Sequence, residues 1–235
     1  MPLITLNGLC GAGSQEIGRL LAQSMGLDYI DRMIMKMTAE TIGTDIEVLE
    51  KKERSSSSFL NKLNSILSKA FERSAASGIG GDPYVGPGFE ALIGKEYPDI
   101  HSEVTPQDEV ADTIFWNVTR EVIETIAAEQ SDLVIIGRGS NMMLKETPGS
   151  FHIGVSAPIE NRIKVVMERE QLNEEDANKY IRQVDSARVH YFRKHFGTTH
   201  PNPHDYHAII NTGMMSMKNA ATMIESYVLQ MGFHK

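Results

Sequence analysis

The stretch that most restricts the fold is residues 3–25. A short apolar run, Leu3-Ile4-Thr5-Leu6, leads into Gly8-Leu9-Cys10-Gly11-Ala12-Gly13-Ser14, and a helical pattern follows over residues 15–25. Ile17, Leu20, Leu21 and Met25 fall on one face of that helix, and Gly26 stands just past its end. A buried strand, a glycine turn and a helix in direct succession form the opening unit of a parallel α/β sheet. The turn also carries chemistry. The first N–H groups of a helix have no intrahelical acceptor, and the helix dipole adds positive potential there, so this junction suits an anion.

The rest of the chain keeps the same alternation. Further strands are predicted at residues 27–30, 133–136, 151–156 and 208–211. Helices are predicted at 32–42, 159–171 and 216–231, at 106–130 behind Thr105 as N-cap, and at 174–195 behind Asn173 as N-cap. Strands that are apolar along their whole length are buried on both faces, which indicates a parallel sheet with helices on each side. Residues 44–105 break the rhythm. Residues 45–54 read as helical, and Ser55 to Ser58 precede Phe59, Leu60, Leu63, Ile66, Leu67, Ala70 and Phe71 at helical spacing. Residues 77–105 are rich in Gly and Pro and read as a long loop. The seam at 59–71, with Phe115-Trp116, offers apolar surface for a homodimer.

Composition narrows the function classes. Apolar residues make up 41% of the 235, enough for a real core, and the net charge is −8. No basic field exists to hold nucleic acid or an acidic membrane, so any anionic ligand needs a local arginine cluster. The single cysteine, Cys10, cannot form a disulfide within one chain and fits a reducing compartment. No apolar run approaches the roughly 20 residues of a membrane span. The N-terminus lacks a basic leader region. A cytoplasmic location is the expectation.

Several residues stand out for chemistry. Gly8 and Gly13 have the spacing of a Gly-x4-Gly-Lys-Ser/Thr phosphate loop, but Ser14 and Gln15 occupy the Lys and Ser/Thr places. The dinucleotide pattern Gly-x-Gly-x-x-Gly fails, because Glu16 stands where its third glycine belongs. Cys10 reads as a small packing residue rather than a nucleophile. Arg138 follows the third strand directly, at the carboxyl edge where open parallel sheets bind ligands, and suits bidentate contact with a phosphate. Arg162 and Arg169 share one helix, and Arg182, Asp185 and Arg188 the next; Asp185 and Arg188 are neighbours on its surface. His195, His200, His204 and His207 lie in a Pro-rich stretch, but their spacing defines no compact metal site, and no metal is assigned.

Four segments, in order, resemble the cytidylate kinase family, and more closely its divergent cytidylate kinase-like branch. They are Ile4-Thr5-Leu6 through Gly11-Ala12-Gly13-Ser14-Gln15-Glu16-Ile17, then Tyr29-Ile30-Asp31-Arg32, then Val134-Ile135-Ile136-Gly137-Arg138-Gly139, then Ala157-Pro158-x3-Arg162 with Ile181-Arg182-x2-Asp185-x2-Arg188. Ile210-Asn211-Thr212 is similar to the family's last strand. The resemblance implies a P-loop NTPase-like three-layer α/β fold with a five-stranded parallel sheet and helices on both faces. Its core would be residues 1–43 and 116–235, with a helical insertion at 44–115 near the acceptor and a small lid at about 162–190.

The same resemblance implies a nucleoside monophosphate kinase that uses ATP with Mg2+ on a CMP or dCMP type acceptor. Gly8, Gly11, Ala12, Gly13, Ser14 and Gln15 would cradle the donor. Arg138 would contact the acceptor phosphate, and Arg162 and Arg169 would be lid arginines over the transferring group. Arg182, Asp185 and Arg188 would bind the acceptor nucleotide, with Asp31 and Arg32 beside its pocket. Two other readings stay open: a non-catalytic nucleotide-binding or regulatory protein, and a kinase for a different small acceptor.

Overall fold

The computed structural model describes residues 2–31, 106–129 and 132–231. The chain divides into two compact units, Met1–Asp31 with Ile126–Lys235, and Arg32–Thr125. The first unit carries a sheet of five strands: β1 (Leu3–Gly8), β2 (Asp28–Ile30), β3 (Leu133–Ile136), β4 (Ser150–Ser156) and β5 (Ala208–Asn211). Their order across the sheet is β2-β3-β1-β4-β5, and every neighbouring pair is parallel. Helix α1 (Ser14–Met25) follows β1, and the long helix α2 (Pro106–Glu129) follows β2 in chain order. After β3 come the short α3 (Ser140–Met143), then β4, α4 (Ile159–Glu170), α5 (Glu174–Phe196), a 3-10 turn at Pro203–Asp205, β5 and α6 (Met217–Gln230).

Alternation along β1 explains the layers. All six of its residues are buried. Ile4 and Leu6 join Ile17, Leu21 and Met25 of α1 and Ala220, Ala221, Ile224 and Val228 of α6 in one core. Asn7 looks to the opposite face, where its Nδ2 donates to Oδ1 of Asn141 on α3 at 3.0 Å. Fully burying one such Leu or Ile contributes about 1.5–3 kcal/mol. The expected three-layer α/β fold with a five-stranded parallel sheet is therefore the fold observed.

A second, smaller core joins α4 and α5: Val166, Ala177 and Ile181 with Ile163, Met167, Tyr180 and Val184 around them. Cys10, from the glycine loop, belongs to it and is 3% exposed.

The strand after α1 starts one residue later than its sequence suggests. Gly26 takes a left-handed conformation with φ 67°, and the N–H of Leu27 donates to Ala22 O at 2.9 Å. Leu27 is thus consumed in closing the helix and cannot enter the ladder. Sequence periodicity also gave no sign of α3 or of the 3-10 turn, both too short to show a period. In α2, Thr119, Val122, Ile123 and Ile126 form one buried face at helical spacing. Arg32, the predicted helices at 32–42, 45–54 and 59–71, the loop at 77–105 and the N-cap Thr105 lie outside the described residues. Among the described residues no helix is long and apolar enough to cross a membrane.

Candidate functional site

The glycine loop leaves the carboxyl end of the central strand β1. Leu9 N–H donates to Val155 O on β4 at 3.1 Å, and Ala12 N–H closes a turn on Leu9 O at 3.0 Å. Thr212, just past β5, donates from Oγ1 to Ala12 O at 2.9 Å. Two glycines let neighbouring helices close on the loop. Gly11 has φ 77°, and a Cβ there would lie 2.8 Å from Arg162 O on α4. Gly13 has φ 90°, and a Cβ there would meet Met217 of α6 at 2.5 Å. Both positions are left-handed as well as crowded.

The N-terminus of α1 opens at this loop. Gly13 is its N-cap and makes no side-chain cap bond. Ile17 N–H makes the first helical bond, to Gly13 O at 3.0 Å. Among the described residues nothing accepts from the N–H groups of Ser14, Gln15 and Glu16. These are the open donors that a bound anion would satisfy.

Helices α4 and α5 bring charge to the same loop. Asp185 accepts from Cys10 N–H through Oδ1 at 2.9 Å. Its Oδ2 takes Nη1 of Arg162 at 2.5 Å, and that Nη1 also donates to Cys10 O at 3.3 Å. The Arg162 and Asp185 side chains are 11% and 20% exposed. Arg188, one turn beyond Asp185, donates from Nη1 to Gly8 O. The loop is thus held at Gly8 and Cys10 by three side chains that the sequence singled out.

Arg169 pairs with Glu170 at 2.6 Å and sets its charge near Cys10. Arg182 is exposed and donates to Asn178 Oδ1 at 3.2 Å on its own helix, so it does not join the loop cluster. Burial pushes the Cys10 thiol up from its ordinary range, against the lowering influence of Arg188 and Arg169. Cys10 is packed in the core of α4 and α5.

Arg138 sits at the end of β3, next to β1. It has φ 60°, between Gly137 at 77° and Gly139 at 68°, three left-handed residues in a row. Tyr191 Oη donates to Arg138 O at 3.0 Å, and a Cβ on Gly139 would strike the ring of Phe196 at 2.4 Å. The C-terminal half of α5 therefore pins this turn. Sequence reasoning missed Tyr191 and Phe196, and gave Thr212 only as part of the last strand. Tyr191 was recoverable, because it lies three residues after Arg188 on the same helical face. Asp31, at the carboxyl end of β2, is 5% exposed.

The histidines are drawn into rings and backbone contacts. His200 stacks on Phe192 with centroids 4.5 Å apart, and its Nδ1 pairs with Tyr206 Oη at 3.1 Å. His207 Nδ1 accepts from His152 N–H at 2.9 Å. His195 lies against Tyr191 with centroids 4.8 Å apart, while His204 is exposed. Among the described residues no group of three or more His, Cys, Asp or Glu could hold a metal ion.

Comparison with known proteins bears on the fold and the family. An uncharacterised protein from Eubacterium ventriosum is similar in structure, with a TM-score of 0.60 at 16% identity, covering 97% of this chain and 98% of that one. Shikimate kinase from Acinetobacter baumannii follows with a TM-score of 0.48 at 16% identity, covering 100% of this chain and 96% of that one. A sugar kinase from a Janibacter species gives a TM-score of 0.46 at 12% identity, with 97% and 94% covered. At 16% identity the first of these likenesses speaks for the fold alone. A search of curated proteins gives no sequence match. The sequence pattern of the cytidylate kinase-like family matches residues 3–214, nearly the whole chain. The chain therefore belongs to the cytidylate kinase-like family.

Proposed function

We propose that this protein is a phosphotransferase that moves the terminal phosphoryl group of a nucleoside triphosphate to a nucleoside monophosphate of the cytidylate type. The observation that carries the reading is the open N-terminus of α1 on a glycine loop, ringed by Arg162, Asp185 and Arg188 at the carboxyl edge of the sheet.

The residues fit a triphosphate. Three N–H groups stand without acceptors among the described residues, and Arg162 Nε is buried with no hydrogen-bond partner there. Buried donors of this kind are costly unless an anion satisfies them. Gly8, Gly11, Ala12, Gly13, Ser14 and Gln15 would hold the donor phosphates. Mg2+ that arrives on nucleotide phosphates needs few protein ligands, and Ser14 offers a hydroxyl.

In the transfer, an oxygen of the acceptor phosphate forms a bond to the γ-phosphorus. The bond from that phosphorus to the β-bridging oxygen breaks, and a diphosphate leaves. Such chemistry is mostly positioning and charge stabilisation. Arg162 and Arg169, on helix α4, which would act as part of the lid, stabilise charge on the transferring group. Arg138 holds the acceptor phosphate, with Asp31 and Arg32 beside the acceptor.

The test is phosphotransfer from Mg·ATP across a panel of nucleoside monophosphates, with separation of the products. Diphosphate should form from CMP or dCMP, and R138A should lower turnover by about 10²–10³ while melting like the wild type. Normal turnover in R138A would remove Arg138 from the site. A second reading, nucleotide binding without chemistry, is favoured by Ser14 in the lysine place. Saturable binding with no product from any acceptor would establish it.

A further inference from the structure

We infer that Arg188 supplies, from α5, the positive charge that the glycine loop lacks at Ser14. The inference rests on the phosphotransfer reading and concerns the donor end of the site. In a Gly-x4-Gly-Lys-Ser/Thr loop, the lysine follows the second glycine and reaches the β- and γ-phosphates. Here Ser14 holds that place.

Two side chains converge on the first glycine of the loop. Ser14 Oγ folds back over Gly8, so that a Cβ on Gly8 would stand 2.9 Å from it. Nη1 of Arg188 donates to the carbonyl of the same glycine. A cation from a distant helix thus arrives where the loop's own position-14 side chain turns in.

Among the described residues the charge of Arg188 is also uncompensated. Asp185, the nearest acid on its helix, is already engaged by Arg162 and by Cys10 N–H. Among the described residues no carboxylate pairs with Arg188, which is half-buried. A half-buried guanidinium whose bond is to a carbonyl is poorly compensated until an anion joins it. The open N–H groups of α1 lie on the same loop. The ligand that answers both is a polyphosphate; this differs from the acceptor-binding role that the family resemblance implies for Arg188, and the acceptor phosphate falls to Arg138.

The experiment is titration calorimetry with Mg·ATP on the full chain as wild type, R188Q, S14K and S14K/R188Q, with thermal melts to check folding. R188Q keeps a polar side chain with N–H donors and loses the charge. It should bind about ten-fold more weakly. S14K should restore the affinity in the double variant to within about three-fold of wild type. Affinity of R188Q within about two-fold of wild type would overturn the inference while leaving the phosphotransfer reading intact. A loss that S14K does not repair would make Arg188 a brace of the loop and would also overturn it. No binding of Mg·ATP by the wild type would remove the phosphotransfer reading itself, and the inference with it.

Discussion

Replacing Asp185 with alanine strips two partners at once. Cys10 N–H loses its acceptor, and Arg162, 9% exposed, loses the one carboxylate that it contacts among the described residues, at 2.5 Å. Removing one member of a buried ion pair costs about 3–5 kcal/mol, and the partial exposure of Asp185 places this pair at or below the lower end. D185A should therefore lose about 2–3 kcal/mol in urea unfolding. D185N should lose less, because its Oδ1 still accepts from Cys10 N–H. Equal losses for the two variants would mean that charge contributes nothing here. Sequence spacing put Asp185 beside Arg188 but gave no view of this contact, which joins residues 175 positions apart. Helical periodicity reports a residue's face; it cannot say which loop comes to lie against it.

At the scale of elements, the sequence was most legible where local rules act alone. Helix α5 is the clearest case. Its N-cap Asn173 was expected, and its side chain does accept from Asp176 N–H at 2.9 Å. Glu174, Glu175 and Asp176 occupy the first turn, Arg193, Lys194 and His195 the last, and Gly197 closes it at φ 67°. Every one of these choices favours the helix dipole or satisfies an end group. N173A should cost about 1 kcal/mol, read as a shift in the unfolding midpoint with an unchanged slope. An unshifted midpoint would show that tertiary packing, not the cap, fixes where the helix begins. The five strands were legible for a similar reason, since apolar residues recur along each, most fully in Leu133–Ile136. The sheet order was not, because it depends on which crossovers the helices make. Nor was the clasp of α4 and α5 on the loop, whose apolar part is a lone Cys10 packed among Val166, Ala177 and Ile181.

At the scale of the whole molecule, two buried histidines tie folding to pH. His152 is 3% exposed and His200 4%. Burial, then the charge of His207, holds the protonation of His152 down to about 4. Burial, then the charge of Arg188, does the same for His200, also to about 4. Their ordinary value is 6.5, which the unfolded chain retains. As pH falls through 6.5 the unfolded chain takes up protons that the folded chain refuses, so stability drops. Above that value both forms are neutral and neither histidine affects the balance. The window of loss runs from 6.5 down to about 4. A gap of this size corresponds to about 3 kcal/mol for each ring, a large share of the 5–15 kcal/mol typical of a domain. The urea midpoint should thus be flat above pH 7 and fall steadily as pH approaches 4.5. Because His152 also bonds Thr5 Oγ1 at 2.8 Å and Ser150 Oγ at 3.1 Å, H152N should lower the midpoint at neutral pH. It should nevertheless remove about half of the fall between pH 7 and 4.5, since only His200 still titrates against the fold. A wild-type midpoint that stays level across that range would show that both rings are protonated within the folded protein.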